Sequence, residues 1–243
     1  MNWKPHDYQL RAVKFMVGQA AGGLLLDPGL GKTSITMSAF KVLKAKRIVT
    51  KMLVIAPLRP ALSTWPAEVR KWDEFRHLKL KVLHGSEKAD DLFDPSVDIH
   101  VINPEGLPWL TRALAKVSGW PWEMLVVDES TRFKHTRSLR FKLLKPMLPR
   151  FRRRYILTGS PAPNGLLDLF GQVFILDGGN ALGTYITQYR LTYFVQSGYM
   201  GYDWTPQPGA DVRIYNKIAP LTLRMAAADY LELPPLIDRT ITV

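Results

Sequence analysis

Two short stretches carry residue types that together can do phosphate chemistry. Leu24 to Ser34 reads Leu-Leu-Leu-Asp-Pro-Gly-Leu-Gly-Lys-Thr-Ser, an apolar run that breaks into Gly29-Leu30-Gly31-Lys32-Thr33. The two glycines let the backbone turn back on itself, so that successive N–H groups face an anion. A helix starting near Lys32 adds its N-terminal dipole at the same point. The Lys32 ammonium suits the β- and γ-phosphates of a nucleotide, and the Thr33 hydroxyl suits Mg²⁺. Pro28 to Ser34 would line the phosphate pocket. A longer form of this loop has one more glycine, at the place where Leu26 stands here; the match is to the shorter form, with its preceding strand and following helix.

The second stretch is Val126-Val127-Asp128-Glu129-Ser130. An Asp-Glu pair at a strand end is often only a cap. Here it follows Lys32 by 96 residues (128 minus 32) in a chain with a phosphate loop. In that setting Asp128 is a Mg²⁺ ligand and Glu129 the group that orients and deprotonates water. The reading is a chain that binds ATP with Mg²⁺ and hydrolyses it. A third apolar run ends in Leu157-Thr158-Gly159-Ser160-Pro161, whose small hydroxyls could sense the γ-phosphate or form an ordinary turn. Gln9 carries an amide that can pair with an adenine edge, although a helix-surface glutamine is usually just solvated.

The elements that must position these residues follow from the apolar pattern. Short continuous runs occur at Gly23–Leu26, Met52–Ala56, Leu80–Leu83, Ile99–Ile102, Met124–Val127 and Tyr155–Leu157. Continuous rather than alternating runs, with helix-compatible stretches between them, indicate parallel strands buried on both faces. Helices are expected over Asp7–Gln19, Lys32–Lys44, Ala61–Phe75, Leu139–Leu148 and Leu166–Leu176. The expected fold is α/β, a doubly wound, mostly parallel sheet with ligands at the carboxyl ends of its strands.

Residues 1–178 are taken as this domain and 179–243 as a helical appendage. In the latter, Ala181–Val195 and Ile214–Tyr230 look helical. Ser197–Gly209 suggests a hairpin or irregular loop, and Thr240–Val243 a final strand.

The bulk properties set limits. Thirty-three basic against 21 acidic residues give a net charge of +12, which favours polyanions. The absence of cysteine rules out disulfides and thiolate metal sites. No leader is evident at Met1, no run reaches the roughly 20 apolar residues of a membrane span, and a cytoplasmic protein is expected. The five histidines show no metal-ligand spacing.

Taken together, the motifs resemble the Swi/Snf-like branch of superfamily 2 helicases, ATP-driven translocases on double-stranded DNA. His6-Asp7-Tyr8-Gln9 is similar to the family's adenine-reading Q motif, and Asp27–Thr33 to its motif I. Leu53–Pro57, followed by Trp65, Glu68 and Trp72, resembles motif Ia and its Trp-rich helix. Val101–Glu105 stands where the family has a short DNA-contacting motif. Asp128-Glu129-Ser130 with Arg132-Phe133-Lys134 resembles motif II, and Leu157–Asn164 motif III. Ser130 and Ser160-Pro161 vary from the commonest forms, as in phage or bacterial members.

The resemblance covers about Trp3 to Gly179 and implies a RecA-like lobe. It also implies that Thr158, Gly159 and Ser160 couple the γ-phosphate to lobe closure. Leu223–Pro235 is similar to the segment where the family leaves its first lobe for a second. That second lobe supplies arginine fingers, worth about 10³–10⁵ in rate. The chain ends at Val243, where the lobe would begin, so the expectation is a half-site completed in cis or in trans, weak or inactive alone. The alternatives are a single-lobe module that binds DNA or a partner with little ATPase activity, and the motor part of a restriction system.

A translocase grips phosphates rather than reading bases. The resemblance implies contacts from Arg59, Ser63 and Thr64, from Asn103, and from Arg132 and Lys134. Arg132 to Arg154 holds ten basic residues and no acidic one, which is either a phosphate grip or a solvated face. The aromatic stretch Tyr199–Trp204 is read as a small satellite core in preference to a stacking platform.

Overall fold

The computed structural model describes residues 1–116, 119–197 and 203–231. Its strands are β1 Ala21–Leu26, β2 Met52–Ile55, β3 Leu80–Val82, β4 Ile99–Ile102, β5 Met124–Asp128, β6 Arg153–Thr158, β7 Phe194–Ser197, β8 Asp203–Pro206 and β9 Thr222–Met225. Seven of them form one parallel sheet in the order β3-β4-β2-β5-β6-β1-β9. All six expected strands are present.

Because helices cover both faces, every residue of β2, β4 and β5 is buried. In β5, Met124 and Val126 point into one apolar cluster and Leu125 and Val127 into the other. The first cluster is closed by α1 Asp7–Gly18, α2 Lys32–Ala45, α3 Leu58–Leu62 and α4 Thr64–Lys71. The second is closed mainly by α6 Leu107–Leu114, α7 Leu139–Leu144, α8 Leu169–Asp177, α9 Ile186–Tyr193 and α10 Ala210–Ile218. A short α5 spans Lys88–Phe93. Neither α5 nor α6 was anticipated from the sequence.

Two expected helices are broken where a residue removes a backbone donor or bends the chain, and a third starts differently. The Ala61–Phe75 helix becomes α3 and α4, which meet at Ser63, whose hydroxyl turns back to the Arg59 carbonyl at 2.8 Å. The Leu139–Leu148 helix stops at Leu144, and Pro146 leads a tighter 3₁₀ turn to Arg150. Within it Phe141 is buried and Leu139 is 64% exposed. The Leu166–Leu176 helix begins with a 3₁₀ turn at Leu166–Asp168.

The tail differs most from expectation. Instead of a helix over Ala181–Val195, α9 starts at Ile186, after Gly183 in the left-handed region (φ +94°). The expected helix Ile214–Tyr230 ends at Ile218. Its second half is a 3₁₀ turn through Pro220 followed by β9, which pairs in parallel with β1. A strand from beyond residue 178 therefore belongs to the sheet. β7 and β8 pair antiparallel as a hairpin, one of the two forms expected for Ser197–Gly209, with β7 starting inside the segment expected to be helical. Trp204 packs on the second cluster beneath the Arg190 guanidinium; Tyr199–Tyr202, like Thr240–Val243, lies outside the described residues. No helix among the described residues is long and apolar enough to cross a membrane.

Candidate nucleotide site and basic edge

β5, β6 and β1 are neighbours in the sheet. Asp128 and Glu129 end β5, Thr158 to Ser160 end β6, and Asp27 to Gly31 leave β1. Topology alone therefore gathers the three candidate motifs at one stretch of the carboxyl edge.

The loop after β1 has the backbone a phosphate requires. Gly29 and Gly31 stand at φ +87° and +79°, and α2 begins at Lys32. A Cβ at Gly31 would lie 2.5 Å from the Gln9 Nε2 atom, and the left-handed φ independently favours glycine there. Leu30 is buried in the core, while Pro28 and Gly29 are exposed and Thr33 half-buried. The Ser34 hydroxyl donates to the Gly31 carbonyl at 3.0 Å and so secures the turn. Lys32 Nζ donates to the Leu26 and Asp27 carbonyls at 2.7 and 3.3 Å. Burial lowers its pKa, opposed by Glu129, Asp128 and Asp27 in that order. The charges of three carboxylates thus favour the ammonium form.

Gln9 is buried, and its amide is engaged within the protein. Oε1 accepts the His6 N–H at 3.0 Å, and Nε2 donates to the Leu30 carbonyl at 3.3 Å. It fastens α1 to the phosphate loop.

Asp128 is 9% exposed, and both its oxygens are held: Oδ2 by Trp65 Nε1 at 3.0 Å, Oδ1 by the Glu129 N–H at 3.0 Å. Burial raises its pKa against those two bonds and Lys32. Glu129 sits in the left-handed region at φ +48°, an uncommon place for a side-chain-bearing residue, and is exposed at the edge. Its pKa is raised by burial and then by Asp128. Gly159 lies against the phosphate loop: a Cβ there would be 3.0 Å from Pro28 Cδ. Thr158 is fully buried, and its hydroxyl accepts the Ser160 N–H at 3.2 Å.

Four further residues build this site without having been singled out for it. Trp65 holds Asp128. Asp27 accepts the Ala227 N–H at 2.9 Å, tying the phosphate loop to the chain leaving β9. Gln172 accepts from the Ser130 hydroxyl at 2.7 Å and donates to the Pro161 carbonyl at 2.6 Å, which joins the loops after β5 and β6. Asp168 pairs with Lys134 at 3.0 Å and accepts the Asn164 N–H at 3.0 Å. These partners lie far away in sequence, and only the aromatic spacing around Trp65 hinted at one of them.

The candidate phosphate-gripping residues lie on the adjoining stretch. β4, β2 and β5 are neighbours, and Asn103, the Arg59–Thr64 segment and Arg132 follow their carboxyl ends. Arg59, Ser63, Thr64 and Arg132 are exposed. Glu105 stands among them: it accepts from Asn103 Nδ2 at 2.9 Å and faces Arg132 at 3.6 Å. Lys134 departs from expectation. Its ammonium is spent on the buried Asp168 carboxylate, so it holds two loops together and does not face a polyanion. The Arg150–Arg154 run lies toward the amino end of β6. There Arg153 Nη1 donates to the Met16, Val17 and Gln19 carbonyls at the end of α1, a structural role.

A glycine-turned loop between a parallel strand and a helix, facing an Asp-Glu pair on the same sheet edge, defines a RecA-like P-loop nucleotide-binding lobe. The family model for the SNF2-related domain matches residues 8–180, and the chain belongs to that family.

Over 98% of its length it is 32% identical to "Putative protein p41" of Acyrthosiphon pisum secondary endosymbiont phage 1, covering 54% of that protein. It is 28% identical over 69% of its length to the ISWI chromatin-remodeling complex ATPase ISW2 of Saccharomyces cerevisiae, covering 15% of it. The Sulfolobus solfataricus SWI2/SNF2 ATPase core in complex with dsDNA superposes with a TM-score of 0.74 at 24% identity, over 93% of this chain and 45% of that one. The chain spans about half the length of the phage relative and a small part of the remodeller.

Proposed function

We propose that this chain is the ATP-binding lobe of a DNA-dependent ATPase that translocates on duplex DNA. A second RecA-like lobe, in cis or in trans, completes hydrolysis. The observation that carries this reading is the shared strand β5. It ends the row β5-β6-β1 that assembles the phosphate chemistry and the row β4-β2-β5 that presents exposed basic and hydroxyl side chains.

In this reading the N–H groups of Gly29 to Lys32 receive the phosphates of ATP, and Lys32 turns from the carbonyls of Leu26 and Asp27 to the β- and γ-phosphates. Mg²⁺ fits the oxygen donors Thr33 and Asp128 and, when bound, neutralises charge developing on the phosphates. Glu129, raised in pKa at the exposed edge, takes the proton of the attacking water. Ser160, hung on Thr158 beside Pro28, reports γ-phosphate occupancy to the loop after β6. Arg59, Ser63, Thr64, Asn103 and Arg132 hold the DNA backbone without reading sequence. A bacterial or phage-infected cytoplasm suits such an enzyme, as does the phage relative.

Steady-state ATP hydrolysis by the 243-residue chain, with and without duplex DNA, tests this against Lys32→Ala and Glu129→Gln. Lys32-dependent nucleotide binding with little DNA-stimulated turnover supports a site that needs its second lobe. Robust DNA-stimulated turnover by this chain alone sinks the two-lobe reading, and Lys32-independent binding sinks the site.

A further inference from the structure

Trp65 joins the two halves of the carboxyl edge through its own side chain. It follows Ser63 and Thr64, both exposed at the α3–α4 junction, yet its own side chain is fully buried. The indole belongs to the same apolar cluster as Leu30 of the phosphate loop and Ile35 of α2. Its one polar atom, Nε1, donates to Asp128 Oδ2 at 3.0 Å. The outer surface of the α3–α4 junction is Arg59, Leu62, Ser63 and Thr64; its inner surface is Ala61 and Trp65.

We propose that Trp65 is a positioning residue that couples the phosphate grip of the α3–α4 junction to the Mg²⁺-binding carboxylate Asp128. The proposal rests on the functional reading above. The physical route is short. The junction hinges on Ser63, at φ −114° and ψ −62° between two helices of five and eight residues. Short helices joined at such a bend are held mainly by packing, so a phosphate pulling on Arg59, Ser63 or Thr64 displaces the junction as a unit.

The indole is rigid and close-packed, and transmits displacement rather than absorbing it. Asp128 has little freedom of its own, because its other oxygen is tied to the Glu129 N–H. Moving the indole therefore turns the carboxylate, and with it the left-handed Glu129 next in the chain. By reciprocity, occupancy at Asp128 changes DNA affinity by the same factor.

The test is a thermodynamic cycle on the 243-residue chain. The affinity of a fluorescent ATP analogue with Mg²⁺ is measured with and without saturating duplex DNA, in the unsubstituted chain, Trp65→Phe and Lys32→Ala. The unsubstituted chain is expected to show a coupling factor of about 5 or more. Trp65→Phe is expected to bring it to within about 1.5-fold of unity. Equal coupling in Trp65→Phe overturns the proposal and leaves the functional reading intact. Absence of Lys32-dependent binding in the unsubstituted chain overturns both.

Should Trp65→Phe fail to fold, the indole N–H resonance of Trp65 in the ¹⁵N-labelled chain decides instead. It is expected to shift on adding Mg²⁺ with nucleotide and again on adding DNA. A resonance that DNA leaves unmoved overturns the coupling.

Discussion

The two halves of the carboxyl edge are built on opposite terms. Around β5-β6-β1 many polar groups are fixed: both oxygens of Asp128, both ends of the Gln9 amide, and a buried Ser130–Gln172–Pro161 chain of bonds. Around β4-β2-β5 the candidate groups are exposed and bonded to near neighbours, Ser63 to the Arg59 carbonyl and Asn103 to Glu105. The difference follows the ligands. Chemistry at a phosphorus atom needs groups placed to within about 0.5 Å. Grip on a polyanion needs charge at the surface and tolerates long, mobile side chains.

Asp128→Asn breaks this contrast most sharply, because it removes charge from the fixed half and leaves shape. The asparagine Oδ1 can still accept from Trp65, but its amide nitrogen then faces the Glu129 N–H, which loses its acceptor. Mg²⁺-dependent strengthening of nucleotide binding is expected to fall at least tenfold, while DNA affinity changes by less than about twofold. Relief of the buried charge is expected to contribute roughly 1 kcal/mol of stability, set against the lost acceptor for one N–H. A buried carboxyl whose pKa is raised by folding contributes stability at low pH and loses it as pH climbs through the raised value. The gain over the unsubstituted chain is therefore absent in acid and full at neutral pH. Thermal melts across that range check it, and a stability difference that does not move in the variant's favour between acid and neutral pH would contradict the electrostatic account.

Gly171→Ala strikes the scaffold behind the fixed half. A Cβ there would meet the Phe133 carbonyl oxygen at 2.4 Å and that of Lys134 at 2.8 Å, both backbone atoms that cannot step aside. α8 would have to back away from the loop after β5 and stretch the Ser130–Gln172 bond. The expected cost is about 1–3 kcal/mol, with nucleotide binding weakened in parallel. Chemical denaturation and a nucleotide titration read the two effects. Full stability would show that α8 is not pinned as its packing indicates.

What the sequence disclosed follows from range. The phosphate loop, the Asp-Glu pair and six strands are local patterns, readable from a dozen residues at a time. β9 was hidden because Ile214, Ile218, Leu221 and Met225 are spaced like a helix face; Pro220, within that span, was the contrary sign. The helix at Leu139 was read with too regular a period across Pro146. The partners of Asp128, Ser130 and Lys134 were out of reach for another reason. Trp65, Gln172 and Asp168 lie 63, 42 and 34 residues away from them, and nothing local marks a hydrogen bond that only the fold creates. Lys134 illustrates the consequence: a lysine beside a motif reads as a free cation until its buried carboxylate is seen.

The smallest expected effect bears on the exposed half. Glu105 is an anion among groups proposed to face phosphates, 3.6 Å from Arg132. An exposed pair of this kind is worth at most about 1 kcal/mol, so its removal costs little stability. Glu105→Gln keeps an oxygen for Asn103 and deletes only the charge. If the backbone of a duplex runs along β4-β2-β5, DNA affinity should rise about two- to threefold, and the salt dependence of binding should steepen by up to about one ion. Fluorescence anisotropy with a labelled duplex at several salt concentrations measures both. Unchanged affinity and slope would mean that the duplex does not pass over Asn103 and Arg132, which would confine the grip to the α3–α4 junction. A loss of affinity would mean that Glu105 serves the grip by holding Arg132 in place, and that the exposed half is more tightly organised than its hydrogen bonds suggest.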